Sequence, residues 1–245
     1  MSEIIKTQGV VLRKINHGDT SKIITIFTID YGKVTVIAKG VKSPKSKMNA
    51  RLETFNFVEL VYYNKQSREV QLLSSVDILK VFNSLTEDLT RYKYASAVIE
   101  LILTLLPDHE KHERLFKGVV RILDLLNKSD ENAKIIFLRF FVFFINEIGY
   151  KIELDFCQEC NKKLSESGGV FYSYVEGLMC DDCSSDHLIS FEFNKELFNL
   201  LICLSNKNNL VSFKENDLDF LITFFEKHLA YHISEFKGLK SLKLF

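Results

Sequence analysis

Four of the five cysteines stand as two closely spaced pairs. Cys157 and Cys160 form one Cys-x-x-Cys pair, Cys180 and Cys183 form a second, and 19 residues separate the pairs. A Cys-x-x-Cys turn presents two thiolates to one ion, and two such turns complete the tetrahedral shell that zinc prefers. The intervening segment 169–174 is strand-like and is followed by a Glu-Gly turn, so a short hairpin would bring the pairs together. The spacing predicts one structural zinc ion.

Other interpretations of the cysteines and histidines remain open. The pairs are alternatively a dithiol redox site or small apolar packing residues, although a redox pair is normally single and lies on a βα unit. Cys203, in an apolar helical pattern, is predicted to lie in the core. His228 and His232 are four residues apart, as in a helical metal pair, but no third ligand is apparent. The sequence has no phosphate-loop, dinucleotide-binding, zinc-protease or nucleophile-elbow motif.

Six basic side chains and no acidic one lie between Tyr31 and Leu52. They are Lys33, Lys39, Lys42, Lys45, Lys47 and Arg51. A nucleic-acid surface needs cations along the phosphate track and flat side chains on which bases stack. The candidates for stacking are Phe55, Phe57, Tyr62 and Tyr63. The alternative interpretation is a solvated, lysine-rich surface loop.

The distribution of charge supports a polyanion partner for the N-terminal third. The chain has 32 basic and 32 acidic side chains, yet residues 1–80 contain 13 basic and 7 acidic ones. Such an asymmetry is typical of a domain that binds nucleic acid or another polyanion. The 47% apolar composition excludes a disordered or collagen-like chain. The few cysteines, the absence of a signal peptide and the interrupted apolar stretch 135–148 predict a cytoplasmic protein, outside any membrane.

Two periodicities divide the chain. Residues 4–80 show strand alternation and turn signals, with strands predicted at 4–15, 22–30, 33–39, 55–63 and 70–78. Five short strands indicate a small barrel or sandwich, and a five-stranded oligonucleotide-binding (OB) barrel is the favoured candidate. Helical spacing follows, with helices predicted from Ser84 to Pro107 and over 112–126, 132–148, 193–204 and 217–233. The predicted fold is α+β: an OB-type barrel at 1–80, then a mostly helical domain at 81–245 with a zinc insertion at about 153–186.

Taken in order, several segments resemble the bacterial RecO family of recombination mediators. They are Gly9–Leu12, His17–Ile23, Tyr31–Lys33, Ala38–Lys47, Leu52–Phe55, Leu138–Phe140, Gly149–Tyr150 with Cys157, and Phe236–Leu242. The resemblance covers nearly the whole chain. It implies a mediator without ATPase activity that binds single- and double-stranded DNA, anneals complementary strands and helps to load recombinase onto strands coated by single-strand-binding protein. The implied partners are the RecR ring protein and the acidic tail of single-strand-binding protein, and the implied location is the nucleoid.

The resemblance also suggests which residues contact phosphates. They are Lys39, Lys42, Lys45, Lys47 and Arg51, with Lys33 and Arg13 as further candidates. The family often has consecutive arginines where this chain has Lys42-Ser43, so the charge of the loop is lower here. Two competing hypotheses remain: a protein-interaction adaptor with a structural zinc site and no DNA contact, and an enzyme that uses the cysteine pairs.

Overall fold

The computed structural model describes residues 3–43, 46–206 and 213–244. These residues divide into two compact units, one from residues 1–130 with 241–245 and the other from residues 131–240. No helix among them is long and apolar enough to cross a membrane.

The first unit begins with five strands that close into a barrel. The strands are β1 (Glu3–His17), β2 (Ser21–Thr28), β3 (Gly32–Ala38), β4 (Phe57–Asn64) and β5 (Val70–Lys80). Their order around the barrel is β1-β2-β3-β5-β4, in which β3 and β5 are parallel and the other pairs are antiparallel. This is the order of an OB fold, so the predicted five-stranded barrel is confirmed.

Strand β1 belongs to both sides of the barrel. Its first half pairs with β4 and its second half with β2, and the register shifts between Val11 and Arg13. A bulge of this kind bends a strand and increases its twist, which a small barrel needs in order to close. Gly9 pairs with both β2 and β4, and a Cβ atom at this position would stand 2.4 Å from a methyl carbon of Ile26. Only glycine allows the two strands to approach this closely.

Alternate side chains of the strands fill the barrel. The interior is formed by Ile5, Val11, Ile24, Ile26, Val34, Val36, Ala38, Val41, Leu52, Val58, Leu60, Tyr62, Leu73 and Val76. Two of these residues, Val41 and Leu52, come from the loop between β3 and β4, and Met48 of the same loop packs against the cluster. The loop is therefore held against one end of the barrel by its apolar residues, and Lys39 and Lys47 are exposed.

Three helices complete the first unit: α2 (Ser84–Glu87), α3 (Leu89–Leu105) and α4 (Glu113–Lys128); a single turn, α1 (Met48–Arg51), lies within the β3–β4 loop. The prediction of one helix from Ser84 is wrong, because Asp88 has extended backbone angles and its carboxylate accepts the N–H of Arg91 as the N-cap of α3. Helices α2, α3 and α4 belong to the same compact unit as the barrel. The division into domains at 1–80 and 81–245 stays a prediction.

The second unit contains helices and a small sheet. Its elements are α5 (Ala133–Glu147), β6 (Val170–Ser173), β7 (Gly177–Cys180), β8 (Phe191–Phe193), α6 (Lys195–Asn206) and α7 (Glu215–His232). The sheet order is β7-β6-β8. Gly149 follows α5 with a φ of 88°, as expected of a C-terminal cap. Phenylalanines of α5 pack against α7, with 5.5 Å between the ring centroids of Phe141 and Phe225.

Candidate nucleic-acid interface and metal centre

The β3–β4 loop presents cations at one end of the barrel. Lys39 and Lys47 are exposed, and no acidic partner is found for either within the described parts of the chain. Lys42 donates its backbone N–H to the Thr20 carbonyl and its Nζ to the Gly18 carbonyl, at 3.0 and 2.8 Å. These bonds hold the loop beside the β1–β2 turn. The two segments together form what we call the basic end of the barrel, residues 17–22, 39–43 and 46–51.

The short helix α1 is fixed by hydrogen bonds from its neighbours. Asn56 is buried, and its side-chain amide donates to the carbonyls of Ala50 and Arg51 at 3.2 and 3.1 Å. Arg51 in turn donates to the Val76 carbonyl at 2.7 Å and pairs with Asp77 at 2.9 Å. Arg51 is half-exposed, so its guanidinium has a structural role and retains some open surface. Arg13 is exposed on β1.

The four paired cysteines are brought together in the second unit. Their Sγ atoms all lie within 4.8 Å of one another, and the Sγ atoms of Cys160 and Cys180 are 3.6 Å apart. Tetrahedral coordination with metal–sulfur bonds of about 2.3 Å requires about 3.8 Å between sulfur atoms. The donor set and spacing therefore fit a four-coordinate metal, with every ligand position taken by a thiolate and none left for a reacting water.

Local backbone geometry aims the first cysteine pair at this point. The Cys157 N–H donates to the Lys162 carbonyl at 2.8 Å, and the Asn161 N–H donates to the Cys157 carbonyl at 3.0 Å. Asn161 has a left-handed φ of 61°, which reverses the chain after Cys160. The second pair begins at the end of β7 with Cys180 and continues in a 3-10 turn, residues 181–186. The two tight turns thus meet at the end of β7.

The protonation of the thiols is interdependent. Burial raises the pKa of Cys157, but backbone N–H donors from Cys160, Cys180 and Glu159 outweigh that effect and lower it to about 6. Hydrogen bonds that the Cys183 thiol donates to Cys160 and Cys180 raise its pKa well above the usual value. A second and third negative charge beside a thiolate are unfavourable unless a cation compensates them.

His228 has a structural role in the second unit and does not serve as a metal ligand. It is 5% exposed, and burial lowers its pKa to about 4, so the imidazole is neutral. Its Nε2–H donates to the Tyr150 carbonyl at 2.9 Å, and its Nδ1 accepts the Tyr172 hydroxyl at 2.5 Å. Both ring nitrogens are used, which leaves no lone pair for a metal shared with His232.

Family models match both parts of the chain. The model described as Recombination protein O N terminal matches residues 1–82, and the one described as Recombination protein O C terminal matches residues 86–243. The chain belongs to the RecO family. This confirms the resemblance, and the junction between the two models lies close to the predicted domain boundary.

Curated relatives in the RecO family are named DNA repair protein RecO. The protein of Chlorobium limicola is 35% identical over 162 residues, which is 66% of this chain and 62% of that protein. The protein of Chloroherpeton thalassium is 36% identical over 163 residues, with shares of 66% and 63%. That of Rubrobacter xylanophilus is 32% identical over 183 residues, with shares of 75% and 73%. The matched region thus spans less than two thirds of the first two relatives.

One phosphate contact suggested by the RecO resemblance, Lys33, has almost no accessible surface in this chain. Lys33 is only 7% exposed, its Nζ donates to the Leu103 carbonyl at 3.1 Å, and it pairs with Asp108 at 3.2 Å. Lys33 lies on the same face of β3 as Lys39 but at the other end of the strand, where the end of α3 and the loop at Asp108 cover it. Lys45 lies outside the described residues. For Lys39, Lys42, Lys47, Arg51 and Arg13, contact with DNA stays a prediction.

Three of the four predicted stacking residues are already packed. Phe55 is buried edge-to-face against Tyr92, with 5.6 Å between centroids, and Phe57 lies 6.1 Å from Phe116. Tyr62 belongs to the barrel interior. Tyr63 is 37% exposed, but it lies near the end of β4 farthest from the basic loop.

The sequence reasoning missed Lys22, which strand register places at the basic end. Lys22 of β2 lies opposite Asn16 of β1 and Ala38 of β3, one residue before Lys39. Its Nζ donates to the side-chain oxygen of Asn49 at 2.7 Å. Lys22 lies outside the run of basic residues at 33–51 in the sequence. Only the pairing of β2 with β3 brings it beside that run.

Proposed function

We propose that this chain is a DNA-binding recombination mediator in DNA repair. Membership of the RecO family and the name of its relatives, DNA repair protein RecO, support the general role. The observation that carries the proposal is the basic end of the barrel, where exposed Lys39 and Lys47 stand beside a loop that Lys42 holds in place. An OB barrel with exposed cations on its loops is suited to a phosphate track.

The chemistry of this surface favours binding without sequence readout. Lysines and arginines neutralise phosphates and release counterions, so the same residues serve single and double strands. Lys39, Lys42, Lys47 and Arg51 form the track, Lys22 and Arg13 extend it, and Lys45 belongs to the same loop. Annealing follows from neutralisation, because two strands held on a cationic surface repel each other less. Neither annealing nor assistance in loading recombinase requires ATP hydrolysis by this chain, which has no phosphate-loop motif.

The four cysteines would hold one structural Zn²⁺. Four thiolates suit a soft or borderline metal, and tetrahedral spacing favours zinc. When bound, the ion would stabilise the fold of the surrounding residues by its binding free energy. The segment 152–187 contains eight acidic and two basic side chains, which makes it a poor surface for a polyanion.

The protein partners in this proposal are the RecR ring protein and the acidic tail of single-strand-binding protein, with the cytoplasm, at the nucleoid, as the place of action. Family membership alone supports them. No surface of the described residues is assigned to either partner.

A strand-annealing assay tests the proposal. Two complementary labelled strands are mixed with the protein without ATP, and energy transfer reports duplex formation. We expect wild type to accelerate annealing, and the double variant Lys39→Glu with Lys47→Glu to lose most of that acceleration. The control, Lys195→Glu with Lys227→Glu, makes the same charge change at exposed lysines of the second unit. Equal annealing by both double variants would contradict the proposed surface, and no acceleration by wild type would favour an adaptor.

A further inference from the structure

A cavity lies at the end of the barrel opposite the basic end. It has a volume of about 290 Å³, close to the smaller ligand sites of proteins. The β2–β3 turn contributes Tyr31, the end of β4 contributes Tyr62 and Asn64, and the β4–β5 loop contributes Gln66 and Arg68. His109 completes the wall from the loop after α3, where its backbone N–H donates to the Lys33 carbonyl at 3.1 Å. We call this space the Tyr31 cavity.

The β4–β5 loop is held in shape by a buried amide. The side chain of Gln71 accepts the Lys65 N–H at 2.8 Å and donates to the carbonyls of Lys65 and Arg68 at 3.3 and 2.5 Å. Because the Gln71 side chain forms these hydrogen bonds with the backbone of the loop, the side chains at the tip of the loop are free to contact a ligand. Over the described part of the chain, the side chains of Gln66 and Arg68 have no hydrogen-bond partner. The cavity therefore has a fixed rim with free donors.

Tyr62 shows that the cavity has an unused polar group. Its side chain is 2% exposed and lines the cavity, yet its hydroxyl has no hydrogen-bond partner among the residues that the structure describes. A hydroxyl that lines an open cavity can donate to and accept from a ligand there. Burial raises its pKa far above the usual value, and the neighbouring Tyr31, Glu3 and Asp30 raise it further. The hydroxyl remains a neutral donor that a ligand atom can satisfy.

The aromatic and charged groups define which ligand fits. Tyr31 is 39% exposed and meets Tyr62 edge-to-face, with 6.5 Å between centroids and 85° between planes, so its ring is oriented and partly open. The carboxylates of Glu3 and Asp30 near the Tyr62 hydroxyl disfavour an anion deep in the cavity. Arg68 at the rim favours a negative charge outside it. A flat, uncharged heteroaromatic ring attached to an external anion matches this arrangement.

We propose that the Tyr31 cavity binds one unpaired nucleobase of a DNA strand. The base stacks on Tyr31, its edge takes the Tyr62 hydroxyl and the amides of Asn64 and Gln66, and its phosphate lies against Arg68. Such a site differs from the basic end, which contacts phosphates only. It gives single strands an interaction that duplexes lack, since paired bases are not available to it. This inference rests on the proposed DNA-binding function and adds a base-dependent contact to it.

The test compares two probes that differ only in their bases. A labelled oligothymidylate and an abasic oligodeoxynucleotide of the same length are titrated with the full chain, and anisotropy gives both affinities. We expect wild type to bind the oligothymidylate more tightly, by roughly 5-fold or more, as for one base stacked on an aromatic side chain. Tyr31→Ala should abolish that difference. The turn should persist in this variant, because the Tyr31 N–H is held by the Thr28 hydroxyl at 3.1 Å, independently of the ring.

Two further variants separate this site from the basic end. Tyr62→Phe removes only the unpartnered hydroxyl, so the fold should be kept and the preference for bases should fall by roughly 2- to 10-fold. Lys39→Glu with Lys47→Glu should weaken both probes equally and leave their ratio unchanged. As a second readout, photo-crosslinking of a 5-iodouracil oligonucleotide to wild type should label Tyr31.

Two results would overturn the proposal. Equal affinity of wild type for the two probes would remove the base contact while leaving phosphate binding intact. A preference for bases that survives Tyr31→Ala, with crosslinks elsewhere, would place the base contact at another site. Failure to bind either probe at low salt would instead contradict the DNA-binding function itself, and this inference with it.

Discussion

The barrel and the four-cysteine module are both built from short antiparallel strands, but different interactions hold them together. The barrel buries fourteen residues in one apolar cluster and closes its hydrogen bonding on itself. The module, residues 152–187, has two paired strands of four residues each and converging thiols at its centre. The third strand of this sheet, β8, lies outside the module, and a two-stranded hairpin by itself is marginal in water. The barrel is thus expected to fold through its core, and the module through its metal.

The two regions also differ in how their charges are used. At the basic end of the barrel, lysines are exposed with open surface, as a binding surface requires. In the module, Lys162 pairs with Asp182 at 2.8 Å, and acidic residues outnumber basic ones. Exposed pairs of this kind contribute little to stability, but they leave no cationic track. Under the proposed function, the first region binds the polyanion and the second has a structural role.

Removing the metal should give the largest effect and should affect only one of the two regions. A zinc chelator, or Cys157→Ser, is expected to remove binding energy of the order of 10 kcal/mol from the module. Hydrogen exchange followed by mass spectrometry should show lost protection over 156–183. Peptides from β1 to β5 should keep their protection.

The metal itself is checked by elemental analysis, which should give about one zinc per chain and none in the variant. Cys203→Ser is the matched control, because this cysteine lies outside the cluster. Unchanged protection over 156–183 after complete demetallation would show that the module folds like the barrel, without its ion.

Mild acid should destabilise the second unit, in which His228 is buried, more than the barrel. The pKa of His228 is lowered from 6.5 to about 4, mainly by burial. Between those values the unfolded chain binds a proton that the folded chain does not, so stability is complete above pH 6.5 and falls as the pH approaches 4. The loss attributable to this group at pH 5 is about 2 kcal/mol.

Urea unfolding of wild type and His228→Gln at neutral pH and at pH 5 provides the measurement. Protonation of the cysteines is common to both proteins and cancels in the difference between them. The wild type should lose more stability than the variant on acidification. Identical losses would mean that His228 does not titrate as its burial requires.

A matched pair of lysine substitutions should give the smallest effect and should show which barrel cations face the solvent. Lys33→Met removes a buried lysine whose partner Asp108 is exposed and stays solvated, and we expect DNA affinity to change little. Lys39→Met should reduce the salt dependence of single-strand binding by roughly 0.7 in log–log slope. The same anisotropy titration serves both variants. A larger loss in Lys33→Met than in Lys39→Met would reverse the assignment made from burial.

Local patterns predicted most of the elements and the metal ligands. The five strands follow from period-two alternation, and the ligands follow from two short spacings that need only a hairpin to meet. The position of Lys33 could not be predicted, because it depends on the loop at Asp108 returning to β3, a contact distant in sequence. The same holds for Lys22, which reaches the basic end through strand pairing, and for Phe55, which is buried against Tyr92 of α3.

The proposed function depends most directly on whether the basic end of the barrel binds DNA. The affinity of a labelled single strand should be measured by anisotropy over a range of salt concentrations, for wild type, Lys39→Glu with Lys47→Glu, and Lys195→Glu with Lys227→Glu. We predict that wild-type affinity falls steeply with salt and that only the barrel variant loses slope, by roughly 1.4 for two phosphate contacts. Equal slopes in all three proteins would contradict the account.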